Sequence, residues 1–181
     1  GIETPIETWD VFIAVGKELS KGDVKMTYMG GEWEILLRQR GADIFDADGN
    51  VTCDSDVAIE TMQWDLDLRD KHGIADEAPG GAKYDSAWYG ALKEDKFLSV
   101  IGADWYAGFL EDNAPELEGK WKAMPLPVWE KGGSRTSCHG GTGLTISKTC
   151  KDIAEAWRFM EYSMLSVEGN VRRYLLTRLF P

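Results

Sequence analysis

Short apolar runs that end in glycine or acid alternate along this chain with longer stretches in which apolar residues recur every three to four positions. That alternation restricts the fold more than any other feature, because strands that feed helices that feed strands build a layered α/β architecture. Thr8-Trp9-Asp10 leads into Val11, Phe12, Ala14, Val15 and Leu19, which predicts an N-capped amphipathic helix closed by Lys21-Gly22. Residues 24–29 follow as a short strand running into Gly30-Gly31, and a second helix is expected from near Glu32 to Gly41, with Trp33, Leu36 and Leu37 on one face. Residues 44–52 read as a hairpin with a glycine turn. They are not a calcium loop of the EF-hand type, because Gly49 falls too soon after Asp46.

Asp54-Ser55 caps a long helix through Arg69 that carries Ala58, Met62 and Leu66, and His72-Gly73 stop it, with His72 as a C-terminal cation. A short helix is expected at 84–93. Residues 97–102 form an apolar strand that empties into Ala103-Asp104-Trp105-Tyr106, a position where open α/β sheets bind ligands. Residues 121–127 carry two prolines and suit an edge strand or a crossover. Residues 131–134 have linker composition, a strand is expected at 143–147, and Ile153, Ala156, Trp157, Met160 and Met164 make an apolar helical stripe. A last helix runs from Ser166 through Leu176.

The charge balance removes whole classes of function. With 20 Lys+Arg against 31 Asp+Glu the net charge is −11, so nucleic acid and anionic membranes are poor partners. The length of 181 residues fits one domain or pieces of two. Cys53, Cys138 and Cys150 form no zinc-type set, although Cys138 and Cys150 can pair if neighbouring strands bring them together. No apolar run approaches the roughly 18 residues of a membrane span. The opening Gly-Ile-Glu-Thr-Pro has no signal-peptide character, so either the protein is cytosolic or its export signal lies outside this chain.

Catalytic constellations are equally scarce. Gly141-Thr142-Gly143 leads into a strand where a dinucleotide fingerprint needs a helix, and His139-Gly140-Gly141 resembles an esterase oxyanion loop without the nucleophile elbow. Glu32 and Asp104 can be imagined as an acid–base pair on a glycosidic bond, but in so acidic a chain most carboxylates face solvent. The informative excess is aromatic: eight Trp outnumber six Phe and six Tyr. Trp64 and Trp157 fall within helix periods and read as core. Trp33, Trp105, Tyr106 and Trp88 lie beside glycines, acids or strand ends, where indole faces and carboxylates together suit the C–H faces and hydroxyls of a sugar.

Several runs then resemble one family in the right order. They are Trp88-Tyr89-Gly90-Ala91-Leu92-Lys93, Ser99 through Tyr106, Lys122-Ala123-Met124-Pro125-Leu126-Pro127 and Gly140 through Lys148, supported by Thr8-Trp9-Asp10-Val11-Phe12, Leu36 through Asp43 and Ala156-Trp157-Arg158-Phe159-Met160. The chain resembles the extracellular solute-binding proteins of sugar ABC transporters, the lactose/arabinose type most, with maltose-binding protein as a more distant relative. The resemblance implies a two-lobed α/β fold present as a fragment: residues 1–130 as the second lobe, 131–134 as the crossover and 135–181 as part of the first lobe. It implies binding without catalysis, no cofactor and no metal, a sugar or oligosaccharide ligand, and the membrane permease subunits as partners. The expected location is periplasmic or extracellular, with a lipid anchor outside this chain as one option.

The same resemblance carries the site. Gly31, Glu32 and Trp33 match a cleft-lining loop, Asp104, Trp105 and Tyr106 match the turn whose Trp stacks on the sugar, and His139, Gly140, Gly141 and Thr142 match a first-lobe loop facing the cleft, where relatives often carry Trp in place of His139. Competing readings are a carbohydrate-active enzyme, an acidic interaction domain with structural tryptophans, and a binding protein for a polyamine or metal chelate.

Overall fold

A computed structural model of the chain describes residues 5–30, 32–141 and 143–177. Helix α1 (Trp9–Leu19) begins where the Thr8 hydroxyl accepts the Val11 amide at 3.2 Å, and it buries Trp9, Phe12 and Gly16. Gly16 lets α1 pack closely on the strand layer, since a Cβ there would stand 2.8 Å from Ile74 Cδ1 and 3.1 Å from Met26 Cβ, and these side chains would have to shift. Strand β1 (Thr27–Met29) pairs in parallel with β2 (Ala75–Glu77), Thr27 opposite Ala75 and Met29 opposite Glu77. A parallel bridge between Lys25 and Phe97 brings a third extended run alongside, and a separate one joins Thr8 to Val128.

Between and after the strands lie α2 (Trp33–Gln39), α3 (Asp56–Asp70), α4 (Ser86–Lys93), α5 (Tyr106–Asn113), α6 (Ile153–Met160) and α7 (Val167–Thr177), with a wide π turn at Glu161–Leu165 joining the last two. Asp85 caps α4 and Asp152 caps α6 through their carboxylates, each accepting an amide at 2.9 Å. The expected hairpin at 44–52 closes through an antiparallel Phe45–Val51 bridge, and the Asp46 carboxylate caps its own turn by accepting the amides of Asp48 and Asn50.

Two aromatic-rich cores flank the short sheet. One joins α1, α2 and α3 through Trp9, Phe12, Leu36, Leu68 and Ile74, with Met26 and Ala75 from the strand layer. Trp9, Trp64 and Trp129 pack edge to face along its margin at 5.2 and 4.7 Å, and the Arg40 guanidinium covers Trp129. The other core gathers Tyr28, Trp88, Leu92, Phe97 and Leu117 beneath α4.

Several expectations need correction. The runs 121–127 and 143–147 form no strand, and 97–102 contributes only the Phe97 bridge. Apolar β-propensity supplies a candidate, but a strand exists only where a second backbone lies alongside to complete its ladder. Helix α5 and strand β2 were not expected. The α6 stripe is present, yet α6 buries none of its residues: Trp157, expected in the core, is 51% exposed, and Phe159 is 69% exposed. Trp88, grouped from the sequence with the aromatics beside glycines, acids or strand ends and not with the core, is fully buried. Cys138 and Cys150 are free thiols and do not pair. Among the described residues, no helix is long and apolar enough to cross a membrane.

Candidate functional site

The layer's carboxyl end holds an enclosed ionic group. Glu32 immediately precedes α2, Tyr28 sits at the middle of β1, Ile101 lies beyond the Phe97 bridge, and Lys83 occupies the loop leading to α4. The Lys83 ammonium donates to Glu32 Oε1 at 2.6 Å, to the Tyr28 hydroxyl at 2.6 Å and to the Ile101 carbonyl at 3.2 Å. Tyr28 also donates to Glu32 Oε1. The two ionic side chains are only 7% and 4% exposed. Among the described residues, the buried Glu32 Oε2 has no hydrogen-bond partner.

Burial first, and the Glu32 charge second, hold the Tyr28 hydroxyl far above the usual phenol range, which keeps it a proton donor. Burial also raises Tyr106 and Tyr84. On α3, burial followed by the Glu32 charge pushes the Asp65 carboxyl up to about 6.

An aromatic wall stands beside this group. Tyr84 packs 5.9 Å from Trp105 and 6.0 Å from Phe109, and Trp105 and Phe109 stand 5.4 Å apart, each pair measured between ring centroids. Tyr84 and Phe109 are about half exposed, and Trp105 is partly so. The His139 ring lies 6.1 Å from Trp105. It arrives there because the return segment is tied to α2: Ser137 Oγ donates to the Ile35 carbonyl at 2.5 Å and Arg38 to the Cys138 carbonyl at 3.4 Å.

The residues expected from the sequence divide into groups. Glu32, Trp105, Tyr106 and His139 come together at this end of the layer. Tyr106 is buried, and its hydroxyl accepts the Trp88 indole N–H at 2.5 Å, so it supports the wall from behind. Trp33 turns toward α3 and donates to the Ala58 carbonyl at 3.0 Å. Asp104 is exposed on the rim, where it also borders a separate groove of about 860 Å3 that runs past Leu110 to Trp121. Gly140 and Gly141 are exposed with φ of +79° and +158°. Gly31 and Thr142 lie outside the described residues. Lys83, Tyr28, Tyr84 and Phe109 went unnoticed in the sequence; the only local signal was a Gly-Gly turn running into an adjacent Lys and Tyr.

Chemically, the arrangement offers partly exposed ring faces for packing beside a buried pair of zero net charge. Among the described residues, no group of His, Cys, Asp and Glu is placed to hold a metal.

Comparison with known proteins agrees with this architecture. Residues 1–168 match the family model described as bacterial extracellular solute-binding protein. The chain is 33% identical to an arabinooligosaccharide-binding protein of Halalkalibacterium halodurans over 97% of its own length and 41% of that protein. It is 31% identical to the arabinooligosaccharide-binding protein of Bacillus subtilis, again over 97% of itself and 42% of that protein. An ABC transporter solute-binding protein from Thermotoga lettingae, crystallised with α-D-tagatose, superposes with a TM-score of 0.72 at 18% identity, covering 98% of this chain and 47% of that one. The chain thus spans less than half the length of these proteins. Its matching segments and its layered strand–helix order make it a member of the bacterial extracellular solute-binding protein family.

Proposed function

We propose that this chain supplies one wall and the floor of a sugar-binding cleft, and that the protein delivers a sugar or oligosaccharide to the membrane permease subunits of an ABC importer. The observation that carries the reading is the partly exposed Tyr84–Trp105–Phe109 wall standing beside the buried Glu32–Lys83 pair. Sugar rings offer C–H faces that pack on such aromatic rings. Asp104, Trp105, His139, Gly140 and Gly141, together with Gly31 and Thr142, form the proposed ligand-facing set, with the buried Glu32 and Tyr106 acting as supports and Trp33, turned toward α3, left out of it. The curated relatives are named for binding arabinooligosaccharides, which favours a pentose oligomer as ligand.

The lobe assignment is part of this reading. Residues 1–130 serve as the second lobe, 131–134 as the crossover and 135–181 as part of the first. It is supported by the parallel Thr8–Val128 bridge, which lays the entering and returning passes of the chain side by side. The family description favours an extracellular or periplasmic location, and we include a lipid anchor in the proposal.

A polyamine ligand is the weaker reading, because Lys83 already neutralises the carboxylate such a ligand would need. A carbohydrate-active enzyme is weaker again, since the relatives are named as binding proteins. Calorimetric titration of the full-length protein with arabinotriose, tagatose, maltose and putrescine tests all three. Saturable sugar binding without turnover is expected; release of smaller sugars, or binding of putrescine alone, would overturn the proposal.

A further inference from the structure

We propose that the Lys83 ammonium fills, from within the chain, a box built for a cation, and that this self-occupancy makes the cleft select neutral polyhydroxy ligands over amines. The charge lies 5.2 Å from the ring centroid of Tyr28 and 5.8 Å from each of Tyr84 and Tyr106. Glu32 closes the box at 2.6 Å. Several aromatic faces around a position that also touches a carboxylate are the arrangement that binds ammonium ligands. Here the ligand is the end of a side chain that is itself only 7% exposed.

Two consequences follow from the geometry. The Glu32 charge is consumed inside the protein, so an incoming amine finds no counter-charge and meets a fixed positive one. A neutral hydroxylated ring, by contrast, needs no counter-charge and packs on the exposed faces of Tyr84 and Phe109 without meeting that repulsion. Lys83 also orders the wall, because Tyr84 faces the ammonium on one side and packs against Trp105 on the other. Lys83 is therefore a positioning and selectivity residue that acts through Glu32 and Tyr84. The ligand class rests on the sugar reading above, but the box does not.

The test uses the full-length protein with Lys83→Ala, and n-propylammonium chloride as a probe that restores the deleted atoms. Lys83→Ala should lose at least about tenfold in arabinotriose affinity and acquire putrescine binding. Addition of n-propylammonium should raise its thermal midpoint saturably and recover trisaccharide affinity, while sodium chloride at equal ionic strength does neither. Wild type should not respond to n-propylammonium, and Glu32→Gln combined with Lys83→Ala should lose the amine response. If Lys83→Ala does not fold unaided, its refolding yield in n-propylammonium against sodium chloride gives the same reading. Equal response to the two salts, or an unchanged preference for sugar over putrescine, overturns the proposal. A wild type that binds no sugar, beside a Lys83→Ala that still responds to n-propylammonium, would refute the sugar reading and leave the box standing.

Discussion

The indole of Trp9 donates to Gln39 Oε1 at 3.0 Å, and the amide nitrogen of the same Gln39 donates to the Pro127 and Ser134 carbonyls at 2.7 Å each. One buried side chain at the end of α2 thus ties the start of α1 to both flanks of the segment that returns across the fold. An exposed ion pair between Arg135 and Glu7 closes the same junction, and the Val128 amide donates to the Glu7 carbonyl at 2.9 Å. Since α2 also follows Glu32 directly and holds the segment carrying His139, its two ends connect the junction with the candidate site.

Gln39→Leu should be strongly destabilising, because it leaves an indole N–H and two carbonyls without their partner in an apolar setting. At about 1 kcal/mol for each lost hydrogen bond, and more where a group stays buried, the loss should be about 3 kcal/mol. Gln39→Glu keeps the acceptor for Trp9 but turns a buried carboxylate oxygen onto two carbonyls, so at neutral pH it should be at least as destabilising as Gln39→Leu. Urea midpoints of the three proteins check the order, and a Gln39→Leu midpoint equal to wild type would show that the junction does not depend on this amide.

Asp65 provides a pH test. Its carboxyl is raised from the ordinary 3.8 to about 6, first by burial and then by the Glu32 charge. A raised carboxyl means that the folded state binds more protons than the unfolded state between about pH 4 and pH 6, so stability should fall as pH rises through that window. Asp65→Asn removes the titration and should stabilise the protein above pH 7 by up to about 3 kcal/mol, with little effect near pH 4. Denaturant titrations at pH 4, 5, 6 and 7.5 read the difference. A constant gap between variant and wild type across that range would remove Asp65 as its source.

Tyr106 separates support from contact. Its hydroxyl accepts the Trp88 indole N–H in a buried setting, so Tyr106→Phe strands that donor and should lower stability by about 1–2 kcal/mol. Sugar affinity should change by less than about threefold, since the ring remains behind the wall. A large affinity loss with unchanged stability would move Tyr106 into direct ligand contact.

The sequence made the first helix legible because a cap and an apolar period coincide at Thr8 with Trp9 and Phe12, whereas the helices at 84–93 and from Ile153 were expected without their caps, and Asp85 and Asp152 emerge as caps only in the structure. It made the strands less legible, because an apolar run at 121–127 looks the same with or without a neighbouring backbone. Burial was least legible of all. Trp88 and Trp157 both lie on helices with apolar spacing, and only the tertiary packing leaves one fully buried beside Tyr28 and Phe97 and the other half exposed. Glu32 and Trp105 were found through family likeness at a strand end. Lys83 was not, because a lysine after a glycine turn ordinarily signifies a solvated loop, and nothing local announces that Tyr28 and Ile101 will enclose it.

Trp105 should contribute more to ligand affinity than any other single side chain of this chain. It sits at the N-terminal edge of α5 and is held from several sides by Tyr84, Phe109 and His139, yet part of its ring remains accessible. A partly exposed indole gripped by neighbouring rings is already ordered, so packing a sugar ring on it sacrifices little side-chain freedom. Trp105→Ala should therefore weaken sugar binding by about 2 kcal/mol, roughly thirtyfold, with a small change in thermal midpoint. Two controls bracket it: Trp88→Ala, fully buried, should lose about 3–5 kcal/mol of stability, whereas Trp157→Ala, half exposed on α6, should alter stability by no more than about 0.5 kcal/mol. Calorimetric titration with arabinotriose and denaturant melts of all three variants supply the readings. If Trp105→Ala binds as wild type does, or unfolds like Trp88→Ala, the ring is structural and the ligand must rest elsewhere on the wall.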